Sequence, residues 1–98
     1  MGLFSTENKI IGSCLVKNKL GLHARPACIF VQKASEFRSE ITVKSSSSEE
    51  TADGKSLMSV LMLAAVCGSN LTITAEGEDA HDALSALIQL IESKFDEE

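Results

Sequence analysis

A histidine and an arginine stand two residues apart in the segment 21–27, whose sequence is GLHARPA. The neutral ring of His23 has a nitrogen that can attack phosphorus, and the guanidinium of Arg25 suits phosphate oxygens because it offers paired N–H donors. Pro26 is typical of the first turn of a helix, where its missing N–H group needs no partner. The positive end of that helix favours an anion and disfavours a charged imidazole. The segment therefore fits a phosphoryl site, although a polar helix cap (His23) and a surface charge (Arg25) explain the same residues.

Ser56 is a second candidate, because it directly precedes the apolar stretch LMSVLML at 57–63. A serine in that place is a common N-cap, whose hydroxyl accepts a hydrogen bond from the backbone of the first turn. A phosphate on Ser56 would also suit a helix start, and its negative charge would alter any partner surface built on the neighbouring side chains. The sequence leaves both roles open.

Hydrophobic patterning predicts the elements that position these residues. We expect strands over residues 10–16, 41–44, 49–53 and 71–75, with a polar turn at 45–48 between the second and the third. We expect helices over about 24–36, from the Ser56 cap to about 67, and from the Asp79 cap to 91. This order predicts one α+β domain spanning 1–98, in which helices cover one face of an antiparallel four-stranded sheet.

Composition argues against several classes of protein. The 98 residues carry a net charge of −5 with four Phe and no Tyr or Trp, so the chain lacks the basic and aromatic surface that binds nucleic acid. No apolar run approaches the roughly 20 residues of a membrane span. No secretion signal is recognisable either, so we expect a cytoplasmic protein without membrane insertion.

Three cysteines without C-x-x-C spacing are expected to be reduced, buried or half-buried thiols. No His or Cys cluster suggests a metal site, and no cofactor is implied.

Basic residues are concentrated near the amino terminus. Residues 1–35 hold five basic side chains and one acidic one, whereas residues 36–98 hold four and thirteen. Four of the basic residues lie in or near the GLHARPA segment and could steer acidic partners toward it, namely Lys17, Lys19, Arg25 and Lys33.

The chain resembles the histidine-containing phosphocarrier proteins (HPr) of the bacterial phosphoenolpyruvate-dependent phosphotransferase system. The resemblance covers most of the chain and is carried by GLHARPA at 21–27, KSLM at 55–58 and AEGED at 75–79. It implies an open-faced β-sandwich of four antiparallel strands with three helices on one face. It also implies that Nδ1 of His23 accepts a phosphoryl group from Enzyme I and passes it to the Enzyme II A component of sugar permeases, while Arg25 orients and stabilises the phosphate. Such a carrier is a substrate of other enzymes and is not itself a catalyst.

The resemblance extends to regulation and to docking. In some bacteria a dedicated ATP-dependent kinase (HPr kinase/phosphorylase) phosphorylates the serine that begins the second helix, a position that Ser56 matches. Family members bind partners through the start of the first helix and through the second helix. We therefore expect an apolar contact surface formed by Cys28, Ile29, Leu57, Met58 and Leu61, with the alternative that Leu57 and Leu61 are core residues. We expect a monomer, since no second apolar face is evident.

Two other functions fit the same sequence. A regulatory paralogue of HPr, in a nitrogen branch or under kinase control, would act through protein–protein interaction without sugar transport. A pure interaction module would use the surface alone, and its histidine would be structural. Phosphorylation by the Enzyme I of the sugar or the nitrogen branch, or by neither, distinguishes the three.

Overall fold

The structure is a computed structural model that describes residues 8–96. Four strands form one antiparallel sheet in the spatial order β1-β4-β2-β3, and they are β1 (Lys9–Leu15), β2 (Glu40–Ser45), β3 (Thr51–Asp53) and β4 (Asn70–Glu76). Three α-helices complete the fold, and they are α1 (Ala24–Ala34), α2 (Leu57–Met62) and α3 (Ala80–Glu92), followed by a 3-10 helix at Lys94–Asp96. None of these helices is long and apolar enough to cross a membrane.

Alternation along the strands decides which face of the sheet is covered. In β2, Ile41 and Val43 are buried whereas Thr42 and Lys44 are exposed, and the apolar residues of β4 are buried in the same way. Because successive side chains of a strand point to opposite faces, the apolar set lies on one face under the helices. The other face is open, so the predicted open-faced sandwich of α+β class is confirmed.

The helices bury regularly spaced apolar residues against that face. The core side of α1 is formed by Ala27, Phe30 and Ala34, all at most 1% exposed. The core side of α3 carries Ala83, Leu87 and Ile91 at the spacing that keeps one helix face apolar. The predicted stripe along the last helix is therefore confirmed.

The second helix is shorter than predicted, since α2 ends at Met62 and not near residue 67. At its end the Leu63 and Ala64 N–H groups bond three residues back, to the carbonyls of Val60 and Leu61. Ala64 then has φ +50, a left-handed conformation in which an L-residue does not continue the helix. The apolar run after Met62 suggested a longer helix, but it forms a turn whose Ala65 is buried.

The three cysteines differ in their surroundings. Cys14 on β1 is buried, and this burial, with a smaller effect from Glu92, raises the pKa of its thiol to about 11. Cys28 and Cys67 are both exposed, so the expectation of buried or half-buried thiols is wrong for them. Cys28 lies on the outer side of α1, and Cys67 lies in the turn after α2. All three are free thiols in the structure.

Asp79 precedes α3 as predicted, but its side chain does not cap that helix. Its carboxylate instead accepts hydrogen bonds from the backbone N–H groups of Arg38 and Ser39, both at 2.9 Å, and from the Ser39 hydroxyl at 2.5 Å. These bonds join the β4–α3 connection to the α1–β2 connection. The Ser39 hydroxyl, and next the Arg38 N–H, lower the pKa of Asp79 to about 2.

We predict that Asp79→Asn lowers the Tm at pH 7, and that its difference from the wild type shrinks as the pH falls. The pKa of Asp79 in the folded protein lies below the value of about 3.9 expected for an unfolded chain. Ionised Asp79 therefore stabilises the fold fully above the unfolded value, and this stabilisation is lost as the pH falls through the folded value. Thermal unfolding followed by circular dichroism at pH 7, 4, 3 and 2 measures the effect. Asp82→Asn, at an exposed carboxylate in the first turn of α3, is the control. Equal Tm values for wild type and Asp79→Asn at pH 7 would contradict the prediction.

Candidate functional site

His23 is the N-cap residue of α1 and is partly exposed. Its backbone is extended, with φ −86 and ψ −169, and its carbonyl accepts the first hydrogen bond of the helix from the Ala27 N–H at 3.0 Å. Its side chain makes no capping hydrogen bond, so the interpretation of His23 as a polar side-chain cap is wrong. Pro26 lies in the first turn, as its fixed φ predicts, and its side chain is buried. The imidazole therefore lies at the start of α1 without capping it.

The loop before His23 is held against the turn that follows α2. The Leu22 N–H donates to the Ala65 carbonyl at 2.8 Å, and the Leu22 side chain is 4% exposed. Gly21 has φ +71, and a Cβ there would meet the Ala65 carbonyl oxygen and lie 2.9 Å from Cα of Val66. Only glycine combines that backbone conformation with so close an approach. The start of α1 is thereby fixed relative to the end of α2.

The charged residues that precede and follow His23 most closely in the chain are basic. Arg25 is exposed in the first turn of α1, which contains no acidic residue. Lys17 and Lys19 are exposed in the loop between β1 and α1. The backbone N–H groups of a first turn have no acceptors within their own helix, and together with the helix dipole they favour an anion. The arrangement can hold a phosphoryl group in contact with solvent, close to a nucleophilic ring.

Lys33 does not lie with the basic residues Lys17, Lys19 and Arg25 around the start of α1. It lines a hollow of about 320 Å³ with residues of α3, and its Nζ lies 3.4 Å from a carboxylate oxygen of Glu36. The prediction that Lys33 joins the basic residues around His23 is not supported by its placement. Sequence proximity suggested it, but one helix presents different residues to different sides.

Ser56 is the N-cap of α2, as predicted. Its Oγ accepts a hydrogen bond from the Ser59 N–H at a long distance of 3.4 Å, and the side chain is partly exposed. The neighbouring Lys55 donates from Nζ to the Phe37 carbonyl at 2.7 Å, beyond the end of α1. This bond fixes the start of α2 and leaves the Ser56 hydroxyl at the surface.

The expected contact residues lie on α1 and α2 with unequal exposure. Cys28 is exposed and Met58 is 68% exposed, so both are available for contact. Ile29, Leu57 and Leu61 are partly buried and pack against the core. Leu57 and Leu61 therefore pack partly into the core and leave part of their surface available for contact.

Three exposed apolar residues near the site were not predicted. They are Leu20 (76% exposed), Met62 (71%) and Val66 (60%). Met62 lies one turn after Met58 on the same side of α2. Leu20 and Val66 adjoin Gly21 and Ala65, the two backbone segments that touch. We call Leu20, Met58, Met62 and Val66 the apolar patch.

Periodicity could not reveal this patch, because two of its members lie in loops and one ends a short helix. The available signal was the isolated leucine in the polar sequence KNKLG at 17–21. Among residues 8–96, no group of three or more His, Cys, Asp or Glu side chains could hold a metal ion.

Comparison with known proteins identifies the family. A family model described as "PTS HPr component phosphorylation site" matches residues 12–93. The chain is 49% identical over 80 residues to the phosphocarrier protein HPr of Pseudomonas aeruginosa, which covers 82% of this chain and 88% of that protein. It is 43% identical over 89 residues to HPr of Treponema pallidum, covering 91% and 99%.

A solved structure agrees with these sequence matches. HPr-C-His from Thermoanaerobacter tengcongensis superposes with a TM-score of 0.84 at 43% identity, covering 91% of this chain and 98% of that one. The fold, the family model and the relatives agree over nearly all of the described residues. The chain therefore belongs to the HPr family and is a phosphocarrier of the phosphotransferase system.

Proposed function

We propose that His23 is the phosphoryl acceptor and donor of this carrier. The observation that carries the proposal is the placement of His23, which is the partly exposed N-cap residue of α1 and is followed by Arg25 in a first turn without acidic residues. A lone pair of Nδ1 attacks the phosphorus of phospho-Enzyme I as the bond to the donor protein breaks. The phosphoryl group then leaves His23 for the Enzyme II A component of a sugar permease. Backbone N–H groups and the helix dipole stabilise the charge on the bound group.

Arg25 stabilises the phosphoryl oxygens in this proposal. Its guanidinium lies in the first turn of α1, and charge-assisted hydrogen bonds to phosphate are stronger than neutral ones. Its exposure keeps the phosphoryl group accessible, which a carrier needs because a second protein must remove the group. Such a protein is consumed and regenerated as a substrate of other enzymes, and it needs no cofactor of its own.

The partners dock on the side of the molecule formed by the starts of α1 and α2. Cys28, Ile29, Leu57, Met58 and Leu61 provide contact area there, and the apolar patch extends it around the His23 loop. Lys17, Lys19 and Arg25 border the site and attract acidic partner surfaces. We also propose that the carrier acts in the cytoplasm, since its three cysteines are unpaired thiols.

Phosphorylation of the purified protein tests the proposed role of His23. The protein is incubated with phosphoenolpyruvate and purified Enzyme I, then analysed by intact mass spectrometry at alkaline pH. The wild type is expected to gain one phosphate that is lost on acidification, and His23→Ala is expected to gain none. Parallel reactions with the Enzyme I of the sugar branch and of the nitrogen branch separate the sugar carrier from a regulatory paralogue. No gain with either enzyme would overturn the proposal and favour an interaction module.

We predict that Arg25→Ala slows phosphoryl transfer by at least about tenfold, because a charged contact to the transferring group is lost. Rapid-quench kinetics with phospho-Enzyme I measure the rate, and circular dichroism is expected to show unchanged helix content. Arg38→Ala is the matched control, since Arg38 is also exposed but lies after α1, at its opposite end. An unaltered transfer rate in Arg25→Ala would remove Arg25 from the site.

We further propose that Ser56 is a site of regulatory phosphorylation by an HPr kinase/phosphorylase. Its hydroxyl makes only a long hydrogen bond and reaches the surface beside Leu57 and Met58. A phosphate there adds negative charge next to contact residues, so it repels acidic partners and raises the desolvation cost of docking. The effect is expected on partner binding and not on the fold.

We predict that Ser56→Asp weakens binding to Enzyme I while changing the free energy of unfolding by no more than about 1 kcal/mol, because a helix start tolerates negative charge. Isothermal titration calorimetry and urea unfolding measure the two quantities. Ser85→Asp introduces the same charge on the exposed side of α3 and is expected to leave Enzyme I binding unchanged. Equal affinities for the two variants, or a large loss of stability in Ser56→Asp, would count against the proposed role.

A further inference from the structure

We propose that Asn18 is a positioning residue for phosphoryl transfer, whose buried side-chain amide holds the loop carbonyl to which the His23 backbone is bonded. The inference rests on the proposed function of His23. It concerns a residue outside the GLHARPA segment and five positions before the histidine.

Asn18 is buried in the loop between β1 and α1, with 2% of its surface exposed. Its Nδ2 donates to the Gly21 carbonyl at 2.6 Å, and its own backbone carbonyl accepts the Gly21 N–H at 3.1 Å. Asn18 thus bonds both polar backbone groups of Gly21. Asparagine side chains are mostly exposed, and a buried one is normally held by hydrogen bonds of this kind.

The Gly21 carbonyl connects this amide to the phosphoryl site. The same oxygen accepts the His23 N–H at 3.0 Å, so Asn18 and His23 bond one acceptor. A change in the position of that oxygen changes the backbone of His23, and with it the direction of the imidazole. Leu22 lies between Gly21 and His23, and its N–H donates to the Ala65 carbonyl. The loop is therefore also held by a bond to the turn after α2.

The hydrogen bond of the Asn18 side chain comes from its donor side. Its Oδ1 is buried and has no hydrogen-bond partner. An unsatisfied buried acceptor lowers the free energy of unfolding, and this loss offsets part of the stabilisation that the bond from Nδ2 to Gly21 contributes. Removal of the side chain leaves the Gly21 carbonyl with its His23 partner and leaves the bond from Ala27 N–H to the His23 carbonyl in place. Variants at position 18 are therefore expected to fold and to differ mainly in how firmly His23 is oriented.

Orientation of a nucleophile affects the chemical step more than it affects docking, because transfer requires a near-attack geometry. The exposed residues of the apolar patch and the contact residues on α2 remain unchanged in Asn18 variants. The kcat for phosphoryl transfer should therefore fall while the KM of the carrier for Enzyme I stays nearly constant.

The test uses Asn18→Ala, which removes the amide, and Asn18→Asp, which keeps its shape but replaces the donor with an oxygen. The control is Ser39→Ala, which removes another buried side-chain hydrogen bond at the far side of the fold, where Ser39 contacts Asp79. Circular dichroism establishes folding and Tm for each. Enzyme I kinetics with phosphoenolpyruvate then give kcat and KM with the carrier as substrate, and NMR records the ring signals of His23.

Both Asn18 variants are expected to lose at least about fivefold in kcat, with KM within about twofold of the wild type and with shifted His23 ring signals. Ser39→Ala is expected to lower the Tm without changing kcat or those signals. A folded Asn18→Ala with wild-type kcat, an equal loss of kcat in Ser39→Ala, or a change in KM alone would overturn the inference. Loss of folding in both Asn18 variants would also overturn it, because Asn18 would then be a structural residue. Failure of the wild type to be phosphorylated would instead overturn the proposed role of His23.

Discussion

The hydrogen bond from the Leu22 N–H to the Ala65 carbonyl joins the two parts of the molecule on which a phosphocarrier depends. One part is the loop that begins α1 at His23, and the other is the turn that ends α2. Gly21 allows the approach because it has φ +71 and no side chain. Ala64 directs the chain toward it by leaving the helix with φ +50. The proposed phosphoryl site and the proposed docking surface are therefore set relative to each other by backbone groups.

A carrier must bind each partner well enough to transfer its phosphoryl group and weakly enough to leave. The α2 residues of the proposed docking surface are suited to this compromise. Leu57 and Leu61 are fixed by the core and expose only part of their surface, whereas Met58 and Met62 are largely exposed and flexible. Fixed side chains give the surface its shape, and methionines adapt to partners of different structure.

The sequence was most informative where one physical rule dominates. Alternating residues in β2 and β4, the apolar stripe of α3, and the pairing of His23 with Pro26 at a helix start all follow from local patterns. Ser56 as the cap of α2 follows from the same kind of pattern. The resemblance to HPr then supplied the chemistry that spacing alone left open.

The remaining features depend on contacts between distant residues. The early end of α2 is accompanied by the close approach of Ala65 to Gly21, a contact between residues far apart in the chain. Asp79 was expected to cap α3, but two backbone N–H groups and a hydroxyl from the α1–β2 connection compete successfully for its carboxylate. Leu20 and Val66 became part of a surface only because the tertiary fold brings their loops together. No local pattern contains that information.

The pairing of β1 with β4 has a consequence for how the protein is made. Among the described residues β1 precedes every other strand, yet its partner β4 comes after α1, β2, β3 and α2, and the register pairs Lys9 with the distant Glu76. During synthesis β1 and α1 leave the ribosome long before β4 exists, so the His23 loop emerges without the sheet that supports it. Such long-range pairing slows folding. The nascent carrier can therefore complete the support of its proposed phosphoryl site only after β4 has been made.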